Sequence, residues 1–115
     1  MFVDEMMTST APTPPGDLAE LGANVHAAAR LMKLLASEQR LLLLCRLFEG
    51  ETSVGELAKH AGLAHTAASQ HLAKMRAEGL VATRRDAQTI YYRITDAAAL
   101  KVLGALCDIY RGSRA

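Results

Sequence analysis

At 115 residues the chain has room for one domain, since domains cluster near ~100–150 residues. Half of the residues are hydrophobic, only 4% are aromatic and none is Trp, a Leu- and Ala-rich balance that favours helices packed on helices. The net charge of +1 excludes a polycation, and no apolar run approaches the ~18 residues of a membrane span.

The N-terminus lacks the basic-then-apolar order of a secretory signal, so a cytoplasmic protein with reduced thiols is the expectation. A domain this small buries only ~60–65% of its unfolded surface, so burial against a second copy would help it. Charge is unevenly placed. Residues 1–25 carry Asp4, Glu5, Asp17 and Glu20 with no Lys or Arg. Residues 65–93 carry Lys74, Arg76, Arg84, Arg85 and Arg93 against Glu78 and Asp86. A basic segment in a near-neutral chain suits either a phosphate-docking face or an ordinary solvated surface.

In chain order, residues 1–16 hold Pro12, Pro14 and Pro15 among Ser and Thr and read as a disordered tail. Residues 17–113 form the expected domain. Asp17 with Glu20 has capping-box spacing, and Leu21, Val25, Ala28 and Leu31 or Met32 recur at helical intervals. Ser37 opens a second helix. Its run Leu41–Leu44, Cys45, Leu47 and Phe48 is apolar nearly all round, as in a buried central helix, and Gly50 ends it. Thr52 or Ser53 caps a short third helix with Val54, Leu57 and Ala58 inward, closed by Gly62. A fourth helix runs from about His65 to Glu78 and stops at Gly79. Two short helices joined across a Gly-containing turn make a helix-turn-helix.

After Gly79 the period changes to that of strands, 80–83 and 88–94, around a polar turn Arg84–Ala87. Thr95 or Asp96 then caps a last helix with Leu100, Leu103, Leu106, Cys107 and Tyr110 at helical spacing. The fold class is mainly α with a β-hairpin wing, in the order α-α-α-α-β-β-α: a winged helix-turn-helix.

The fourth helix carries the informative face. At 100° per residue, Ala68, Leu72 and Met75 fall inward with His71 beside them, read as a packed, hydrogen-bonded histidine. Thr66, Ser69, Gln70, Ala73 and Ala77 fall outward. A merely solubilising face carries Glu and Lys. Short hydroxyls, an amide and alanines suit close approach to base edges, where Gln pairs bidentately with adenine. Lys74 and Arg76 flank this face as phosphate partners, and Arg84 and Arg85 at the wing suit the adjacent minor groove or its backbone. Each alone is an ordinary surface group; together, in this topology, they point to double-stranded DNA. No Gly-rich phosphate loop, helical zinc pair or recognisable acid–base motif suggests an enzyme.

The stretch Gly55-Glu56-Leu57-Ala58, Gly62-Leu63 and Ala67 through Val81, with its Ser69-Gln70-His71-Leu72 centre, resembles the ArsR/SmtB family of bacterial repressors over about residues 20–110. The resemblance continues through Arg84–Tyr92. It implies base reading by His65, Thr66, Ser69 and Gln70, and a homodimer built through the first and last helices that reads near-palindromic operators.

The family's zinc-type sensors use Asp/His and His/Glu pairs on the last helix, which here has no His. Its third-helix cysteines are also absent. His26, His60, His65 and His71 form no i, i+4 pair on one helix, so no histidine metal site is expected, and no cofactor.

The resemblance is closest to the BigR/SqrR/HlyU branch, which senses persulfides or oxidants through a dithiol, around Arg40–Cys45 and Arg85–Gln88. Cys45 matches that branch's second-helix cysteine. The partner position matches Arg111, whereas this chain has Cys107 one helical turn earlier, displaced by ~6 Å along the axis. That shift is as large as the ~4.4–6.8 Å Cα separation a disulfide permits. Three readings stay open: a Cys45–Cys107 switch driven by a reactive sulfur species or oxidant, a two-thiol arsenical or metal site, and inert core cysteines in an apolar setting.

Overall fold

The computed structural model describes residues 15–112. The elements run α1 (Pro15–Ala23), α2 (Val25–Leu35), α3 (Glu38–Phe48), β1 (Thr52–Ser53), α4 (Val54–Ala61), α5 (His65–Ala77), β2 (Val81–Asp86), β3 (Thr89–Ile94) and α6 (Ala97–Gly112). The chain divides between Lys33 and Leu34 into two compact units. Most of the expected tail, residues 1–14, lies outside the described residues.

In the first unit α1 begins at Pro15, which places Asp17 inside the helix rather than at its cap. Pro suits a first helical turn because its missing N–H would be unpaired there anyway. The single helix expected from the spacing is interrupted at Asn24. Its backbone N–H is shared between the Glu20 and Leu21 carbonyls at 3.1 and 3.0 Å, and its side-chain Nδ2 donates to the same Glu20 carbonyl at 2.9 Å. An Asn that bonds the preceding turn competes with the regular ladder, and the helix resumes with Ala28 N–H donating to Asn24.

In the second unit Ser37 caps α3, its hydroxyl accepting from the Arg40 N–H at 3.3 Å. Leu43, Leu44 and Leu47 are buried, but Leu42, Cys45 and Phe48 on the other flank are exposed. The central helix therefore has one open flank. Ser53 is the residue that caps α4, accepting from Glu56 N–H. Gly62 ends it with φ +67°, and Leu63 N–H donates to the Ala58 carbonyl. That left-handed stop favours Gly and turns the chain into α5. Asp96 caps α6, its Oδ1 accepting from Ala99 N–H at 2.9 Å.

The strands form one antiparallel sheet in the order β1-β3-β2. The two-residue β1, with Thr52 opposite Tyr92 and Ser53 opposite Tyr91, carries no alternation that a sequence pattern could register. The wing's turn is tighter than Arg84–Ala87. Strand pairing continues to Asp86 opposite Thr89, leaving Ala87 and Gln88 as the loop, with Ala87 at φ +58°. A two-residue hairpin needs positive φ to match strand twist, and that requirement overrides the polarity that suggested a longer loop.

The core gathers Leu43, Leu44, Leu57, Leu72, Met75, Leu80 and Leu103, all fully buried. α3 packs on α4, α4 on α5, and α3 on α6. Among the described residues no helix is long and apolar enough to cross a membrane.

Candidate nucleic-acid interface and thiol pair

α5 is fixed from inside. Ala68, Leu72 and Met75 have no solvent exposure, which pins the rotation of the helix. His65, Thr66, Gln70, Ala73, Lys74, Arg76 and Ala77 are exposed, and Ser69 and His71 are half-buried. Thr66, Gln70, Ala73 and Ala77 of the expected outer face are thus open, with Ser69 at its half-buried edge. Ala64 precedes α5 with extended backbone and no side-chain cap, so the first-turn N–H groups are unclaimed by any cap and the positive end of the helix dipole faces outward.

The far end of α5 is tied down by a contact that the sequence pattern did not single out. Arg40 of α3 donates through Nη1 to Glu78 Oε1 and to the Leu34 carbonyl, both at 2.9 Å. Its side chain is 11% exposed and that of Glu78 26%. No local motif announces a pair separated by 38 positions.

The two wing arginines differ. Arg84 Nε donates to Glu51 Oε1 at 2.8 Å, and its guanidinium lies 4.5 Å from the Tyr91 ring centroid, a cation–π distance. Tyr91 is its cross-strand partner. Arg85, the next residue, projects from the opposite face and is exposed.

The thiols lie on packed helices. The Phe48 ring of α3 stands 3.6 Å from where a Cβ on Gly104 of α6 would sit. One turn back along α3 from Phe48 is Cys45, and one turn forward along α6 from Gly104 is Cys107. Cys45 is exposed and Cys107 half-buried, both as free thiols. Partial desolvation, then the negative charge of a Cys107 thiolate, then that of Glu49, push the Cys45 thiol above its ordinary range. The charge of Cys107 is therefore felt at Cys45. Cys45 also lines a cavity of about 290 Å³ with Glu38, Leu41 and Leu42. Among the described residues no three His, Cys, Asp or Glu side chains cluster as a metal site.

Residues 37–83 match the model of the arsR family of bacterial regulatory proteins. The nodulation protein NolR of Rhizobium meliloti is 50% identical over 86% of this chain and 78% of its own length. The chain belongs to the arsR family. It is a transcriptional regulator and a winged helix-turn-helix protein, not an enzyme. Among solved structures, the transcriptional repressor BigR of Xylella fastidiosa superposes with a TM-score of 0.75 at 39% identity, covering 80% of this chain and 94% of that one. Reduced HlyU of Vibrio cholerae gives 0.74 at 41%, covering 79% and 96%. The homodimeric winged helix-turn-helix DNA-binding domain of Mb0332 from Mycobacterium bovis gives 0.65 at 29%, covering 89% and 91%.

Proposed function

We propose that this arsR-family regulator is a homodimeric repressor that binds double-stranded operator DNA when its thiols are reduced and releases it when Cys45 and Cys107 become linked. The observation that carries DNA reading is the face of exposed Thr66 and Gln70 and half-buried Ser69 over a fully buried Ala68–Leu72–Met75 seam. His65, Thr66, Ser69 and Gln70 face the bases, and Lys74, Arg76, Arg84 and Arg85 the phosphates. Exposed Leu21, Val25, Met32, Leu42 and Ile109 offer apolar surface for a second copy, as a small domain requires.

The switch rests on the packing of the two helices that carry the thiols, with Phe48 against Gly104 one turn from each sulfur, and on the charge of Cys107 felt at Cys45. One thiolate attacks the sulfur of an oxidised sulfur donor and expels a leaving group. The second thiolate then attacks the resulting mixed disulfide and expels the remainder. Two protons are released, the donor leaves with two electrons, and α3 becomes bonded to α6. Exposure of Cys45 gives the donor access, which an inert core cysteine would not have. A trivalent arsenical would use the same two sulfurs without oxidising them.

A coupling of ~1–3 kcal/mol weakens DNA binding about 5–150-fold. The test compares operator affinity of reduced and tetrathionate- or persulfide-treated protein, with the modification read by mass spectrometry. Equal affinity with the link formed defeats the switch and leaves DNA binding standing. A loss of affinity with arsenite alone, both thiols unoxidised, assigns the arsenical instead.

A further inference from the structure

Beside the outer face of α5 lies a cavity of about 280 Å³ lined by Arg40, Gln70, His71 and Lys74. All four carry hydrogen-bond donors and none is a carboxylate. Gln70, His71 and Lys74 occupy positions i, i+1 and i+4 of the helix and so share one side. Arg40 comes from α3, with its guanidinium already held by the Leu34 carbonyl and Glu78.

His71 differs from its expected role. It is half-buried, yet among the described residues its imidazole makes no hydrogen bond. Among the described residues no buried side-chain nitrogen lacks a partner, so the ring nitrogens of His71 keep contact with solvent beside the cavity that the residue lines. A half-buried imidazole without a protein partner, beside a fixed guanidinium, an amide and an ammonium, is complementary to a group with several acceptor oxygens and no donors.

We propose that this cavity seats a phosphate oxyanion, with His71 and Lys74 as direct donors and Arg40, held by Glu78 and the Leu34 carbonyl, as the fixed wall beside them. The phosphate is one of the DNA backbone, flanking the bases faced by Gln70. The assignment of this source rests on the DNA-binding reading above; the seat itself rests on the cavity. It would fix the register of α5 in the groove, since backbone contacts position a reading helix without specifying sequence.

The test follows the His71 ring signals by NMR while mixed-sequence duplex DNA or inorganic phosphate is added. Duplex affinity is measured in parallel for wild type, His71→Phe, which cannot donate, and His71→Gln, which can. Thermal melts establish that both variants fold. Duplex is expected to move the His71 signals, His71→Phe to weaken duplex binding about fivefold, and His71→Gln to recover most of that loss. If wild type binds duplex but the His71 signals stay still and both variants bind as wild type does, the seat is overturned and DNA reading survives. If wild type binds no duplex while inorganic phosphate moves the His71 signals, the seat stands with a free anion as its ligand, and the DNA reading falls. Signals unmoved by either addition overturn the seat.

Discussion

Replacing Arg40 with Met keeps most of the side chain's aliphatic volume and removes the guanidinium. The lost contacts are the 2.9 Å bonds to Glu78 Oε1 and the Leu34 carbonyl and a longer one, 3.5 Å, to Glu78 Oε2. Truncating one partner of a fully buried pair costs ~3–5 kcal/mol because the other charge is stranded. Glu78 retains 26% exposure, so water recovers part of its solvation, and the expected loss is about 2 kcal/mol, within the ~1.5–3 kcal/mol of hydrogen bonds to charged groups. At ~4–8 °C per kcal/mol for a domain of this size, Tm falls by about 8–16 °C. The melts are compared at one protein concentration, because an oligomer's Tm depends on it. Glu78→Gln keeps an acceptor and loses the charge, so about half the loss is expected. The double variant then costs less than the two losses added. A loss below about 0.5 kcal/mol for Arg40→Met, the range of ordinary surface changes, or strict additivity in the cycle, refutes the idea that this pair holds α5 to α3.

Three further outcomes are expected. Glu49→Gln removes a negative charge that helps hold the proton on Cys45, so the Cys45 titration moves down and iodoacetamide alkylation at fixed mildly alkaline pH becomes faster; unchanged or slower alkylation contradicts the assigned cause. Ala87 adopts φ +58°, which costs a non-Gly residue ~1–2 kcal/mol, while Gly adds ~0.5–1 kcal/mol of backbone entropy. Ala87→Gly should therefore raise Tm by a few degrees, and a lowered Tm removes the strain argument. Arg85→Ala should reduce the salt slope of duplex binding by about 0.9 for one lost phosphate contact. Arg84→Ala should reduce it less, because Glu51 and Tyr91 already engage that guanidinium; equal slopes mean that DNA displaces Glu51.

The elements legible from sequence are those whose signal is local. The period of Ala68, Leu72 and Met75 assigned the inner side of α5 because a helix repeats every ~3.6 residues, and burial follows it. Ser37, Ser53 and Gly62 act as caps for the same reason: a hydroxyl or a left-handed glycine works within one turn. What stayed hidden depends on partners distant in the chain. β1 exists through its pairing with Tyr91 and Tyr92, and Arg84 resembles a free wing cation until Glu51 is brought beside it. The open flank of α3 was hidden by an apolar run that looks the same whether it faces a core or a second protein.

α3 is the element through which sulfur chemistry would have to reach the reading helix. Arg40 and Cys45 are five positions apart on it, ~7.5 Å along the axis. A Cys45–Cys107 link pulls on the middle of α3, while the ion pair with Glu78 joins its first turn to the end of α5. Leu43, Leu44 and Leu47 are buried on the opposite flank, and close-packed interiors transmit a displacement instead of absorbing it. Under the proposed switch, severing the ion pair should therefore weaken the coupling as well as the fold. In Arg40→Met, linking the thiols should change DNA affinity by a smaller factor than in wild type, measured below the melting temperature of both proteins. The ratio of the two factors gives the share of the ~1–3 kcal/mol coupling carried by this contact. An undiminished factor in Arg40→Met would show that the signal leaves α3 by another path, with the exposed flank around Leu42, proposed above to meet a second copy, the next element to perturb.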